Sequence, residues 1–197
     1  MSLPLAFVDV DTQFDFMDPA GRLYVPHAEE IIPKLVRLMA YARERNVPVI
    51  SSADAHAPDD PEFKIWPPHC VSGTLGQQRI QETSLPGALT LTMGSGPFVA
   101  PRQWPPQIII EKDAYETSAN PNFDLILEAL GPRRYVVFGV ATEYCVRADV
   151  LALRKRNKPV GLVVDAIKAI TEDGGRKAIE EMIAAGAEPV TTADVCE

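Results

Sequence analysis

The sequence predicts an α/β protein, a three-layer α/β/α arrangement around an open six-stranded parallel sheet with helices on both faces. Three observations carry this. Short apolar, β-branched runs alternate with segments of helical periodicity, as in repeated βαβ units. The runs are mostly apolar rather than strictly alternating, as strands covered on both faces are. Asp11, Asp54, Lys112 and Cys145 all fall just past the ends of such runs, where open parallel sheets bind ligands.

Leu5-Ala6-Phe7-Val8-Asp9-Val10 reads as the first strand, followed by a polar turn, Asp11 to Phe16. A helix is expected from about Ala28 to Arg45, where Ile31, Leu35, Leu38, Met39 and Ala42 share a face. Asn46 and Pro48 stop it, and Val47 to Ser52 reads as the second strand. The stretch from about 54 to 106 holds nine of the eighteen prolines and reads as a long irregular insertion, a metal-site or lid region. Ile108 to Ile110 is the third strand. A short helix is expected over Phe123 to Leu130, with Asn122 as its cap and Gly131-Pro132 as its stop. Tyr135-Val136-Val137-Phe138 is a central strand feeding a helix from Thr142 or Glu143, because Val146, Val150, Leu151 and Leu153 recur at helical spacing. Pro159 to Val164 is a further strand, Gly175 to Ala185 a final helix, and Ala187 to Val190 an edge strand that tolerates Pro189.

A chain of 197 residues fits one domain, residues 1–197. A net charge of −8 without a basic cluster argues against nucleic acid and anionic membrane surfaces as partners. No apolar run approaches the ~20 residues of a membrane span, and the first residues do not read as a leader. The three cysteines, Cys70, Cys145 and Cys196, are odd in number and lack CxxC spacing, so a reducing cytoplasm is the expected compartment.

Three sets of residues carry chemistry. Cys145 sits in the first turn of a helix after a core strand, where unpaired N–H groups and the helix dipole lower a thiol pKa. A cysteine attacking a carbonyl needs a base and a cation. Asp11 suits the first role and Lys112 the second, with the Ala141 and Cys145 amides to hold an oxyanion. Taken singly, Asp11 reads equally as a turn residue, Lys112 as a solvated lysine and Cys145 as a small buried hydrophobe. The second set is Asp54, His56, Glu62 and His69. Asp54 and His56 are two apart in an extended segment, so they can point the same way. Two imidazoles and two carboxylates suit one divalent metal, Zn, Fe or Mn. The bland alternative is an acidic surface loop with incidental histidines. Third, Phe16, Trp66 and Tyr144 flank these motifs and can clamp a flat ring, or simply pack.

Together these stretches resemble the cysteine-hydrolase superfamily of isochorismatase and nicotinamidase. The carriers are Asp11-Thr12-Gln13-Phe14-Asp15-Phe16, Asp54-Ala55-His56, Trp66-Pro67-Pro68-His69-Cys70, Glu111-Lys112 and Gly139 to Arg147. The resemblance implies an Asp-Lys-Cys triad at Asp11, Lys112 and Cys145, and a cis peptide at Val140-Ala141. Cys145 and the metal-ligand candidates pull the chain towards the nicotinamidase branch, since the isochorismatase branch lacks both features. In that branch a metal is held by an Asp, two His and sometimes a further His or Glu. Here the fourth ligand would be Glu62, with Asp59 and Asp60 as rivals, and Phe16 and Trp66 match an aromatic pair that sandwiches the ring. Relatives often self-associate, which makes a homo-oligomer possible.

The resemblance implies hydrolysis of nicotinamide, or a similar small aromatic amide such as pyrazinamide, to the acid and ammonia through a Cys145 thioester, in NAD salvage. The alternatives are hydrolysis of another amide, a ureido or a carbamoyl compound, or a redox thiol protein in which Cys70 resolves an oxidised Cys145. One stretch departs from the nicotinamidase pattern. Where a Tyr-Ser-Ala-Phe-like segment is usual, this chain reads Tyr115-Glu116-Thr117-Ser118-Ala119-Asn120-Pro121-Asn122-Phe123. That departure bears on the substrate rather than on the chemistry.

Overall fold

A computed structural model describes residues 3–197. Its strands are β1 (Leu5–Val10), β2 (Val49–Asp54), β3 (Leu89–Leu91), β4 (Gln107–Lys112), β5 (Arg134–Val140), β6 (Val160–Lys168) and β7 (Glu188–Val190). They form one parallel sheet in the order β3-β4-β2-β1-β5-β6-β7. The parallel α/β architecture is the expected one, but the sheet has seven strands, not six. The extra strand, β3, is Leu-Thr-Leu inside the Pro-rich insertion, with two of its three residues exposed. Three residues are too few for a periodic signal, and pairing with β4 at the sheet edge supplies what the local sequence lacks.

Alternation along the strands divides the core into two layers. Ala6, Val8 and Val10 of β1 face one side with α3 (Asn122–Leu130), α4 (Arg147–Lys155) and α5 (Glu172–Ala184). Phe7 faces the other, against α1 (Phe14–Met17), α2 (Ile32–Arg45) and the partly buried end of α6 (Thr192–Cys196). Leu35 and Leu38 of α2 are fully buried, each contributing about 1.5–3 kcal/mol of transfer free energy. A 3₁₀ turn, Ala28–Ile31, precedes α2, and Asn46 ends it in the left-handed region at φ 52°. Asn122 does not cap α3 as expected. It is the first helical residue, and its side chain accepts from the Phe98 N–H (2.6 Å), while Asn120 accepts from the Asn122 N–H (3.0 Å). α6, which the sequence reading lacks, is five residues long and held by a capping box between Thr191 and Asp194.

The insertion is tied back to the sheet by buried polar groups. Arg79 pairs with Asp9 and also reaches Thr12 and Thr83. The Gln13 side chain behaves as a strand neighbour of Asp54, accepting from its N–H and donating to its carbonyl, each at 2.8 Å. Of the two central neighbours, β1 connects onward to β2 on one side and β5 to β6 on the other. A crevice therefore opens between their carboxyl ends. Among the described residues no helix is long and apolar enough to cross a membrane.

Candidate active site

The crevice receives side chains from four strand ends. The β2–β4 register sets Asp54 directly beside Lys112. Lys112 is fully buried; its Nζ contacts Asp54 Oδ1, lies 2.8 Å from Asp11 Oδ2 and 3.6 Å from Cys145 Sγ. Asp11 follows β1 with φ 47°, and its Oδ1 accepts a 2.6 Å hydrogen bond from the Ser52 hydroxyl. Asp11 Oδ2 is buried and makes no hydrogen bond; its contact with Lys112 is ionic, out of line for one. Asp11, Asp54 and Cys145 present atoms within 4.8 Å of one another.

β5 delivers the cysteine. Gly139, at φ 119°, passes so close to β1 that a Cβ there would overlap the Val10 carbonyl. The Val140–Ala141 peptide is cis. The helix expected from Thr142 opens instead as a π turn, Thr142–Val146, with α4 following. The expectation of a lowered Cys145 pKa is overturned. Burial, reinforced by Asp11 and Asp54 against Lys112, pushes the thiol well above the usual cysteine range. Burial also raises Asp11, with Lys112 opposing. For Lys112 itself burial works downward, but Asp11 and Asp54 outweigh it and hold the ammonium well above the ordinary lysine value. These directions disfavour a resting thiolate and favour a charged Lys112 and an Asp11 carboxylate more basic than usual.

The second oxygen of Asp54 turns to the histidines. Asp54 Oδ2 lies 3.6 Å from His56 Nε2 and 3.8 Å from His69 Nε2. His56 Nδ1 is 3.0 Å from Asp60 Oδ2, and His69 Nδ1 is 2.8 Å from the Pro67 carbonyl. Those acceptors engage each Nδ1 and leave each Nε2 facing the Asp54 carboxylate, as the seat of a proton or of a cation. His56 Nε2 is buried without a hydrogen-bond partner. An orphaned imidazole nitrogen within a tight Asp-His-His group fits a divalent cation. Burial opposes the His56 imidazolium, but Asp54 and Asp60 outweigh it and push its pKa up to about 9, so a metal competes with that proton. Glu62 does not join the three. It groups with His56 and Asp60 and lines the adjoining cavity, where burial raises its carboxyl. Of its rivals, Asp60 orients His56 and caps the Glu62 N–H (2.8 Å), and Asp59 is exposed.

The cavity beside Cys145 is about 30 Å³, room for a water or two, lined by Phe16, Leu23, Val25, Asp54, Glu62, Trp66, His69, Tyr115, Ala141, Tyr144, Cys145 and Ile170. Phe16 tilts against His69 at 5.4 Å, and Trp66 meets Tyr144 edge-on at 5.2 Å. Two aromatics escaped the sequence reading. Phe63 packs on both histidines, and Tyr115 accepts a 3.0 Å hydrogen bond from the Trp66 indole N–H. Phe63 had no signal beyond its place in the insertion, whereas Tyr115 opens the stretch that departs from the nicotinamidase pattern.

The family model described as an isochorismatase domain matches residues 5–92 and 95–194. The chain belongs to the isochorismatase family. Within it, the chain is 25% identical to the nicotinamidase of Escherichia coli, covering 97% of this chain and 96% of that one. It is 31% identical to the pyrazinamidase of Pyrococcus horikoshii, solved in complex with zinc, over 95% and 98% of the two chains with a TM-score of 0.81. The N-carbamoylsarcosine amidase of Thermoplasma acidophilum is 27% identical over 96% and 97%, with a TM-score of 0.77.

Proposed function

We propose that this isochorismatase-family amidase hydrolyses a small, uncharged aromatic amide of the nicotinamide or pyrazinamide type to its acid and ammonia. The observation that carries the reading is the contact of Lys112 with Asp11, Asp54 and the Cys145 sulfur in one buried cluster.

Asp11, whose carboxylate lies within 4.8 Å of the sulfur, takes the thiol proton, and the Lys112 ammonium compensates the thiolate. The sulfur attacks the carboxamide carbon while the amides of Ala141 and Cys145 receive the oxyanion. Asp11 returns its proton to the departing ammonia, and a water deprotonated by the same carboxylate cleaves the thioester. Asp54, His56 and His69 would hold one divalent ion, for which zinc is proposed; when bound it supplies a Lewis acid that orients the substrate ring. Glu62 stands at the cavity side of that group, and Phe16, Trp66 and Tyr144 supply apolar contact to the ring.

One observation favours this substrate class. The cavity wall carries Asp54 and Glu62 but no arginine or lysine, so a carboxylate-bearing carbamoyl or ureido substrate finds no guanidinium or ammonium on that wall to pair with. Redox use of Cys70 as a resolving thiol is disfavoured, because Cys70 and Cys145 pack in opposite core layers. The test is ammonia release by zinc-loaded protein from nicotinamide, pyrazinamide and an N-carbamoyl amino acid. Release from the aromatic amides, lost in Cys145→Ala, is expected. Full turnover by Cys145→Ala would sink the mechanism, and preference for the carbamoyl acid would sink the substrate class.

A further inference from the structure

Asp149 is a buried carboxyl group that the chemistry above does not use. It lies on α4 one turn beyond Cys145 and is bonded to the loop after β4. Its two oxygens accept from Thr117, Oδ1 from the backbone N–H and Oδ2 from the hydroxyl, each at 2.7 Å. Thr117 is buried in turn. The four residues Asp113 to Glu116 thus run between two anchors, Lys112 in the catalytic cluster and Thr117 on α4. Tyr115 is the aromatic member of this short span. It is 41% exposed, packs against Tyr144 at 5.6 Å and is bonded to Trp66 across the mouth of the cavity. Tyr115 and Trp66 both line the cavity beside Cys145, so displacing this bar widens it. How far the bar yields depends on how firmly its ends are held.

We propose that Asp149 is a positioning residue: by clamping Thr117 it fixes the span that carries Tyr115, and Tyr115, closing on Trp66, sets the size of amide the site admits. The inference rests on the amidase reading for its substrate. The clamp itself is a matter of geometry. Both hydrogen bonds can be kept by asparagine, whose oxygen accepts the Thr117 N–H and whose amide donates to the hydroxyl. Alanine keeps neither.

The test compares Asp149→Asn, Asp149→Ala and Tyr115→Ala by two readouts. The first is kcat and KM for nicotinamide and for a two-ring analogue, quinoline-3-carboxamide. Tyr115→Ala and Asp149→Ala are expected to raise the kcat/KM ratio of the larger to the smaller amide by about tenfold, through KM, with Asp149→Asn at the wild-type ratio. The second is acrylamide quenching of Trp66 fluorescence in a Trp104→Phe background. Quenching is expected to increase in the two alanine variants and not in Asp149→Asn. Thr117→Val, which keeps the backbone bond and loses the other, is expected to fall between and stands in if Asp149→Ala does not fold. Unchanged selectivity and quenching in Asp149→Ala or Thr117→Val would overturn the clamp, and an unchanged ratio in Tyr115→Ala would overturn the role given to Tyr115. If wild type turned over no amide, the proposed function would fail while the quenching arm still decided the clamp.

Discussion

Replacing Asp149 by asparagine is expected to remove a pH dependence from the protein's stability. The carboxyl is fully buried, and burial pushes its pKa up to about 7 against the pull of Lys112 and the Thr117 hydrogen bonds. Its ordinary value is 3.8. Between those values the folded protein keeps a proton that the unfolded chain releases, so stability falls as pH rises. Asp149's contribution is full below about pH 4 and is lost as pH passes through the folded-state pKa near 7. The charges acting on it, Lys112 and Asp11, are already contained in that folded-state value, while the titrations of the other groups are common to both proteins and largely cancel in the difference. From about pH 5 to about pH 8 the wild type should lose roughly 3 kcal/mol relative to Asp149→Asn, two pH units at about 1.4 kcal/mol each. Urea denaturation of both proteins across that range measures this directly. A flat difference would refute the reasoning, because Asp149 would then ionise alike in folded and unfolded chains.

Lys112→Met leaves the Asp11 and Asp54 carboxylates buried without their shared cation; a loss of roughly 3–5 kcal/mol in urea is expected, with amide turnover down about a hundredfold or more. Asp60→Asn removes the charge that orients His56 through Nδ1, and zinc affinity measured by chelator competition should fall about tenfold; unchanged affinity would mean that Asp60 does not act through His56. Gly139→Ala forces a Cβ onto the Val10 carbonyl at a positive φ, so a stability loss of roughly 3 kcal/mol or more is expected, and a wild-type melting temperature would show that β1 and β5 can part there.

Much of this was legible in the sequence because it is local. Apolar runs from Leu5, Ile108 and Tyr135 mark central strands, and a parallel sheet gathers their carboxyl ends, so Asp11, Lys112 and Cys145 could be nominated together from their positions alone. The periodicity of Leu35, Leu38, Met39 and Ala42 likewise located α2. Elements of three to five residues, β3 and α6, left no periodic trace, since sheet pairing in one and a capping box in the other define them.

What only the tertiary structure decided concerns how charges and rings face one another. The register that sets Asp54 beside Lys112 joins the lysine cluster to the histidine cluster through one carboxylate, and no spacing in the chain encodes a register between residues 58 apart. The direction of the Cys145 pKa reversed for the same reason: a local argument counts a helix end, whereas burial beside two carboxylates is a property of the folded site. Tyr115 and Asp149 gained their roles only when α4 and the loop after β4 were brought together. The sequence by itself determined which residues stand at the ends of strands. Sheet order and burial decided which of them touch, because contact energies and desolvation depend on neighbours that lie far apart along the chain.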